Sequence, residues 1–194
     1  MPEKPKILAF AGSLREDSCN KKLVKIAAEG ARKAGAEVNF IDLKDYPLPI
    51  YDQEIETAEG IPHNAQKIKE LMIASQGFLI SSPEYNSSIS GALKNAIDWA
   101  SRPSKKDEAQ LICFKDKFAS LMSASPGALG GLRGLVHLKA ILGNIDVVVL
   151  PQQQTISNAY EAFNAEGKLT NERHQASTEQ LGAGLANMLT KLQG

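Results

Sequence analysis

The chain has 194 residues, 43% hydrophobic and 23% charged, which suits one soluble domain with a full core, over residues 1–194, and argues against disorder. Its 22 basic and 22 acidic residues cancel, which disfavours a nucleic-acid binder with a basic face and a strongly acidic electron carrier. No apolar run approaches the roughly 20 residues of a membrane helix, no long apolar segment follows MPEKPK, and Cys19 and Cys113 have neither C-x-x-C nor metal spacing, so the expectation is a cytoplasmic protein with two free thiols, no metal and no membrane contact.

Residues 6–11 (KILAFA) are almost continuously apolar, as a buried parallel strand is. Gly12 breaks the run, a hydroxyl-rich loop follows, and Leu23, Val24, Ala27, Ala28, Ala31 and Ala34 recur at helical spacing up to Gly35. Residues 38–43 form a second strand. Residues 44–62, with three prolines and several acids, read as a surface excursion at a pocket rim or subunit contact. A helix over 63–75, with Ala65, Ile68, Leu71 and Met72 inward, leads to a third strand at 77–81. Past a polar loop, Ala92, Leu93, Ala96, Ile97 and Ala100 mark a helix over 90–100. Residues 102–117 are a charged linker with an apolar island at 111–114. A fourth strand at 118–123 precedes a small-residue loop and a helix from Leu132. Residues 146–150 form a fifth strand ended by Pro151, and 171–192 a closing helix.

Strand and helix patterns alternate throughout, which predicts an α/β fold of three layers, with a parallel sheet between helices on both faces. Right-handed crossovers and five strands favour the flavodoxin-like order 2-1-3-4-5. In that order strands one, three and four are neighbours, and the polar loops leaving them converge at one sheet edge, where ligands of such folds bind.

The first loop offers Ser13, Ser18 and Asn20 as short donors and Arg15 as a charged fork, ahead of a helix N-terminus, which suits a phosphomonoester. It has neither G-K-[ST] nor G-x-G-x-x-G. A plainer reading makes Ser18 or Asn20 a helix cap and Arg15 a solvated charge. The second loop, residues 83–87, gathers an aromatic ring and amides suited to a flat, hydrogen-bonding ligand; otherwise Tyr85 anchors the loop and Glu84 is a solvated acid. Trp99 reads as packing or a helix interface. The third loop, residues 123–131, has glycines that admit a ligand close to backbone, or is an ordinary turn. His63, His137 and His174 are scattered and take no role. Ser13 is not in a G-x-S-x-G elbow, so an esterase is excluded.

Gly12-Ser13-Leu14-Arg15 with Ser18 and Asn20, then Ser82-Pro83-Glu84-Tyr85-Asn86 and Ser90 through Trp99, then Ser125-Pro126-Gly127 with Gly130-Gly131-Leu132-Arg133, occur in this order. Over residues 7–150 the chain resembles the NAD(P)H-dependent FMN reductases, the flavodoxin-like group of chromate, quinone and azo-dye reductases. The resemblance implies FMN, with its phosphate held by Ser13, Arg15, Ser18 and Asn20. Pro83, Glu84, Tyr85, Asn86 and Ser87 would line its ribityl chain and isoalloxazine, and Ser123, Ser125 and Gly127 would close the other side. Cys19 departs from the family, where an aromatic is common. A homodimer or homotetramer is implied as well.

The expected activity is hydride transfer from NADPH or NADH to bound FMN and then to a quinone, azo, metal-oxyanion or flavin acceptor. The flavin carries the chemistry, so no catalytic side chain is expected. The alternatives are a flavodoxin-type electron carrier and a flavin-binding sensor.

Overall fold

A computed structural model describes residues 3–193; Met1, Pro2 and Gly194 lie outside it, and with them the start of the N-terminal segment read above. Five parallel strands stand in the order β2-β1-β3-β4-β5: β1 (Lys6–Ala11), β2 (Glu37–Asp42), β3 (Gly77–Ser81), β4 (Phe118–Ala124) and β5 (Val148–Ile156). The helices are α1 (Cys19–Lys33), α2 (Gln53–Glu59), α3 (His63–Ile73), α4 (Gly91–Ala100), α5 (Leu132–Asn144) and α6 (Glu172–Leu192).

Side-chain alternation along the central strands divides the core in two. Leu8 and Phe10 of β1, Phe78 and Ile80 of β3, and Ala119 and Leu121 of β4 pack towards α3, α4 and α5. Ile7, Ala9, Leu79 and Met122 pack towards α1 and α6. The apolar runs of β1 and β3 follow from this two-sided burial. α1 and α6 touch backbone to backbone: a Cβ on Gly30 would stand 1.9 Å from the Glu179 carbonyl oxygen, and one on Gly182 1.8 Å from that of Ala27.

One expectation needs correction and another gains detail. The excursion over residues 44–62 follows directly on a 3₁₀ turn (Leu43–Asp45) and contains α2, capped by the Asp52 side chain and ended at Gly60. The excursion is fastened to α4, since the Pro49 carbonyl accepts from Asn95 Nδ2 and Trp99 Nε1, each at 2.8 Å. Trp99 is fully buried, so it is packing within the chain. β5 does not end at Pro151 but runs through it to Ile156. Its register against β4 jumps there, from Ala119 opposite Val149 to Leu121 opposite Gln153. Proline is tolerated at such a bulge on an edge strand because no ladder hydrogen bond needs its missing N–H.

Candidate active site

The loop after β1 is pinned beneath and open above. The Gly12 N–H donates to the Ser81 carbonyl at 2.8 Å. The Ser13 hydroxyl accepts from the Arg15 N–H at 3.3 Å. Ser18 is the N-cap of α1 and accepts from the Lys21 N–H, so the capping reading holds for Ser18. Arg15 is exposed and forms no ion pair among the described residues. Its acidic neighbours are engaged elsewhere, Asp17 with Lys22 at 2.5 Å and Glu16 with Lys44 at 3.7 Å. A free guanidinium, two hydroxyls and a helix N-terminus therefore lie together.

Asn20 is not a cap. Its carboxamide is buried and spans three elements: Nδ2 donates to the Ala124 carbonyl at 2.8 Å, and Oδ1 accepts from the Ser81 hydroxyl at 2.8 Å and the Ala124 N–H at 3.0 Å. It fixes the first turn of α1 against the ends of β3 and β4.

In the second loop Tyr85 and Ser88 exchange backbone hydrogen bonds, and Asn86 and Ser87 both take positive φ, at 51° and 66°. This is the two-residue turn that suits a tight hairpin, and it leaves the Tyr85 ring 53% exposed. Glu84 is not a solvated acid. Its side chain is only 8% exposed. Oε2 accepts from the Gly134 N–H at 3.0 Å, and Oε1 from Arg133 Nη2 at 2.7 Å. Burial acts to raise its pKa, but the Gly134 amide and the Arg133 guanidinium outweigh it and hold the carboxyl below its ordinary value. Glu84 thus ties the second loop to the first turn of α5.

Beneath the third loop, the fully buried Ser123 donates to the Ser82 carbonyl at 2.6 Å. It abuts Gly131, which has φ 91°; a Cβ there would stand 1.8 Å from the Ser123 hydroxyl oxygen. Only glycine satisfies both the conformation and the contact.

These loops enclose a cleft of about 220 Å³ lined by Ser13, Arg15, Ser18, Asn20, Pro83, Glu84, Tyr85 and Ser125 of the anticipated residues. Asn86, Ser87, Ser123 and Gly127 are not in its lining: the first two form the hairpin turn, Ser123 is a brace below the floor, and Gly127 lies farther along the third loop. Sequence reasoning missed Ala159 and Tyr160, which complete the wall together with Cys19, Ala124 and Pro126. The signal is the end of β5, which reaches the same sheet edge only because the strand runs past Pro151 to Ile156. The Ala159 N–H donates to the Ser125 carbonyl at 3.2 Å and places the 68%-exposed Tyr160 beside the third loop. A larger hollow of about 570 Å³ lies between α1 and residues 165–168, away from these loops. Among the described residues no three His, Cys, Asp or Glu side chains gather as a metal site would require, and no helix is long and apolar enough to cross a membrane.

Residues 5–161 match the model of the NADPH-dependent FMN reductase family. The chain belongs to that family. An NAD(P)H-dependent FMN reductase of Pseudomonas aeruginosa is 33% identical over the whole of both chains. An NAD(P)H:quinone oxidoreductase of Solanum tuberosum is 32% identical over 97% of this chain and 95% of its own. Among solved structures, a flavoenzyme NAD(P)H:(acceptor) oxidoreductase from Paracoccus denitrificans superposes with a TM-score of 0.76 at 28% identity, covering 96% of this chain and 98% of that one. The activity of the family is NAD(P)H-dependent flavin oxidoreduction, with FMN as cofactor and NAD(P)H as co-substrate.

The donor set of the cleft fits FMN. Arg15, Ser13, Ser18 and the α1 N-terminus suit a phosphate dianion, and the half-exposed Tyr85 ring suits a flat heterocycle.

Proposed function

We propose that the cleft holds FMN and that the protein, a single cytoplasmic domain acting as a homodimer or homotetramer, passes reducing equivalents from NAD(P)H to a quinone-type small molecule. The observation that carries this reading is the unpaired Arg15 beside two hydroxyls and a helix N-terminus, in the same cleft as the Tyr85 ring.

The residues divide by role. Arg15, Ser13 and Ser18 bind the phosphate. Pro83, Tyr85 and Ser125 border the remainder of the cofactor, and Tyr160 narrows the mouth. Asn20, Glu84 and Ser123 are positioning residues: their polar atoms are engaged with Ala124, Gly134 and Ser82, and they hold the three loops at a fixed separation. FMN, when bound, would supply the redox chemistry that links NAD(P)H to the acceptor. The protein contributes orientation and fixed dipoles and needs no nucleophile or general base. Relatives named quinone oxidoreductases support a quinone as acceptor.

The test is an anaerobic titration of FMN-loaded protein with NADPH and then NADH, followed by the oxidised-flavin absorption. Rapid bleaching by either nucleotide, and recovery on adding a benzoquinone, is expected. Flavin that stays oxidised with both would refute reductase activity and favour an electron carrier. A protein that does not retain FMN would refute the cleft assignment.

A further inference from the structure

A second cleft, of about 520 Å³, opens between β5 and α6. It arises from the bulge at Pro151. Ser120 alone on β4 faces three residues of β5, Leu150, Pro151 and Gln152, before pairing resumes. Ser120 shares a strand face with Phe118 and Met122, so its side chain is directed to the α6 side of the sheet. It is 1% exposed, and its hydroxyl has no hydrogen-bond partner among the described residues. An unpaired buried hydroxyl is destabilising unless a ligand or water completes it.

The rest of the lining is uniform in chemistry: Gln152, Gln153, Gln154, Gln180 and Ser177 around Leu150, Leu181 and Gly184. No charged side chain lines it. The Gln154 oxygen accepts from Ser177 at 2.7 Å, which holds that carboxamide in place. Nothing lies within 4 Å of where a Gly184 side chain would begin, so the helix leaves space there.

We propose that this cleft binds a neutral, flat molecule that presents a hydrogen-bond donor beside an acceptor, the edge shared by carboxamides and nucleobases. A carboxamide side chain matches such an edge with two parallel hydrogen bonds, as glutamine and asparagine do with adenine. The volume lies within the range of small-molecule sites, roughly 300–1,000 Å³. The lack of lysine, arginine or histidine in the lining leaves a pyrophosphate without a partner, so an intact dinucleotide is not the ligand. Ser120 precedes Ser125 of the flavin cleft by five residues, roughly 16 Å along an extended chain, so the two sites are separate.

The test is an amide-resolved NMR titration of isotope-labelled, FMN-loaded protein with nicotinamide and, separately, adenine. Saturable shifts are expected at Ser120, Gln152, Gln153, Gln154, Ser177 and Gln180, with the flavin absorption unchanged. Flavin-free protein should respond in the same way, so failure of the flavin assignment would not disturb the result. Ser120→Ala should weaken binding about three- to tenfold, the worth of one hydrogen bond. Gly184→Leu should abolish it by filling the cleft, and Gln180→Leu serves if either of these variants fails to fold. Absence of saturable shifts with both probes, shifts confined to the flavin cleft, or equal affinity in the folded variants would overturn the proposal.

Discussion

Arg15 was legible as a charge in a loop, and the structure adds that it forms no ion pair among the described residues, Asp17 and Glu16 pairing with lysines. Arg15→Ala should therefore weaken FMN about ten- to a hundredfold, the worth of a hydrogen bond from a charged donor, measured by flavin-fluorescence titration. Unchanged affinity would remove Arg15 from the phosphate site. The sequence leaves Glu84 open between a cofactor-lining residue and a solvated acid, because its partners, Arg133 and Gly134, lie 49 and 50 residues away. With its pKa held down in the fold, the stabilisation it gives is complete above the ordinary carboxylate range and is lost as pH falls through the lowered value. Glu84→Gln should thus lower Tm at neutral pH and flatten its decline below about pH 4, as thermal melts across a pH series would show. A parallel loss at every pH would argue against the ionised brace. The bracing role of Asn20 is hidden for a similar reason: its bonds to Ala124 span 104 residues, and no local pattern announces them.

At the scale of elements, β1, β3 and α4 were legible because two-sided burial and an apolar stripe write themselves directly into composition. α2 was not, since none of its residues is buried and there was no stripe to read, although Asp52 and Gly60 stood as its terminal signals. β5 was cut short because proline usually ends a strand, and the bulge that accommodates it is a tertiary property. The α1–α6 contact depends on an absence of side chains. Gly182→Ala gains about 1 kcal/mol of helix propensity, yet its methyl would collide with the Ala27 carbonyl. Overpacking of this kind costs roughly 1–3 kcal/mol or more, so a net fall in Tm of several degrees is expected by calorimetry. A rise would mean that the two helices separate without penalty.

For the whole molecule, the parallel order and the convergence of loops at one edge followed from the alternation of strands and helices. The separation of those loops did not, because braces such as Ser123 to the Ser82 carbonyl form only once β3 and β4 have paired. A ligand confined to that edge binds the folded chain and not the unfolded one. FMN at a hundred times its Kd should add about 2.7 kcal/mol, a rise in Tm of roughly 5–11 °C for a chain of this size. Melts with and without FMN would measure it, and no shift would mean that the folded chain does not bind FMN. The bulged β5 has one more consequence. A parallel sheet assembles slowly from distant segments and exposes its borders meanwhile. At one border Pro151 has no N–H to offer an incoming strand and the bulge interrupts the repeat; at the other, β2 turns Glu37 and Asn39 outward. Both borders thus carry features that discourage strand addition by another chain, so the geometry that opens a cleft beside α6 also works against edge-to-edge association.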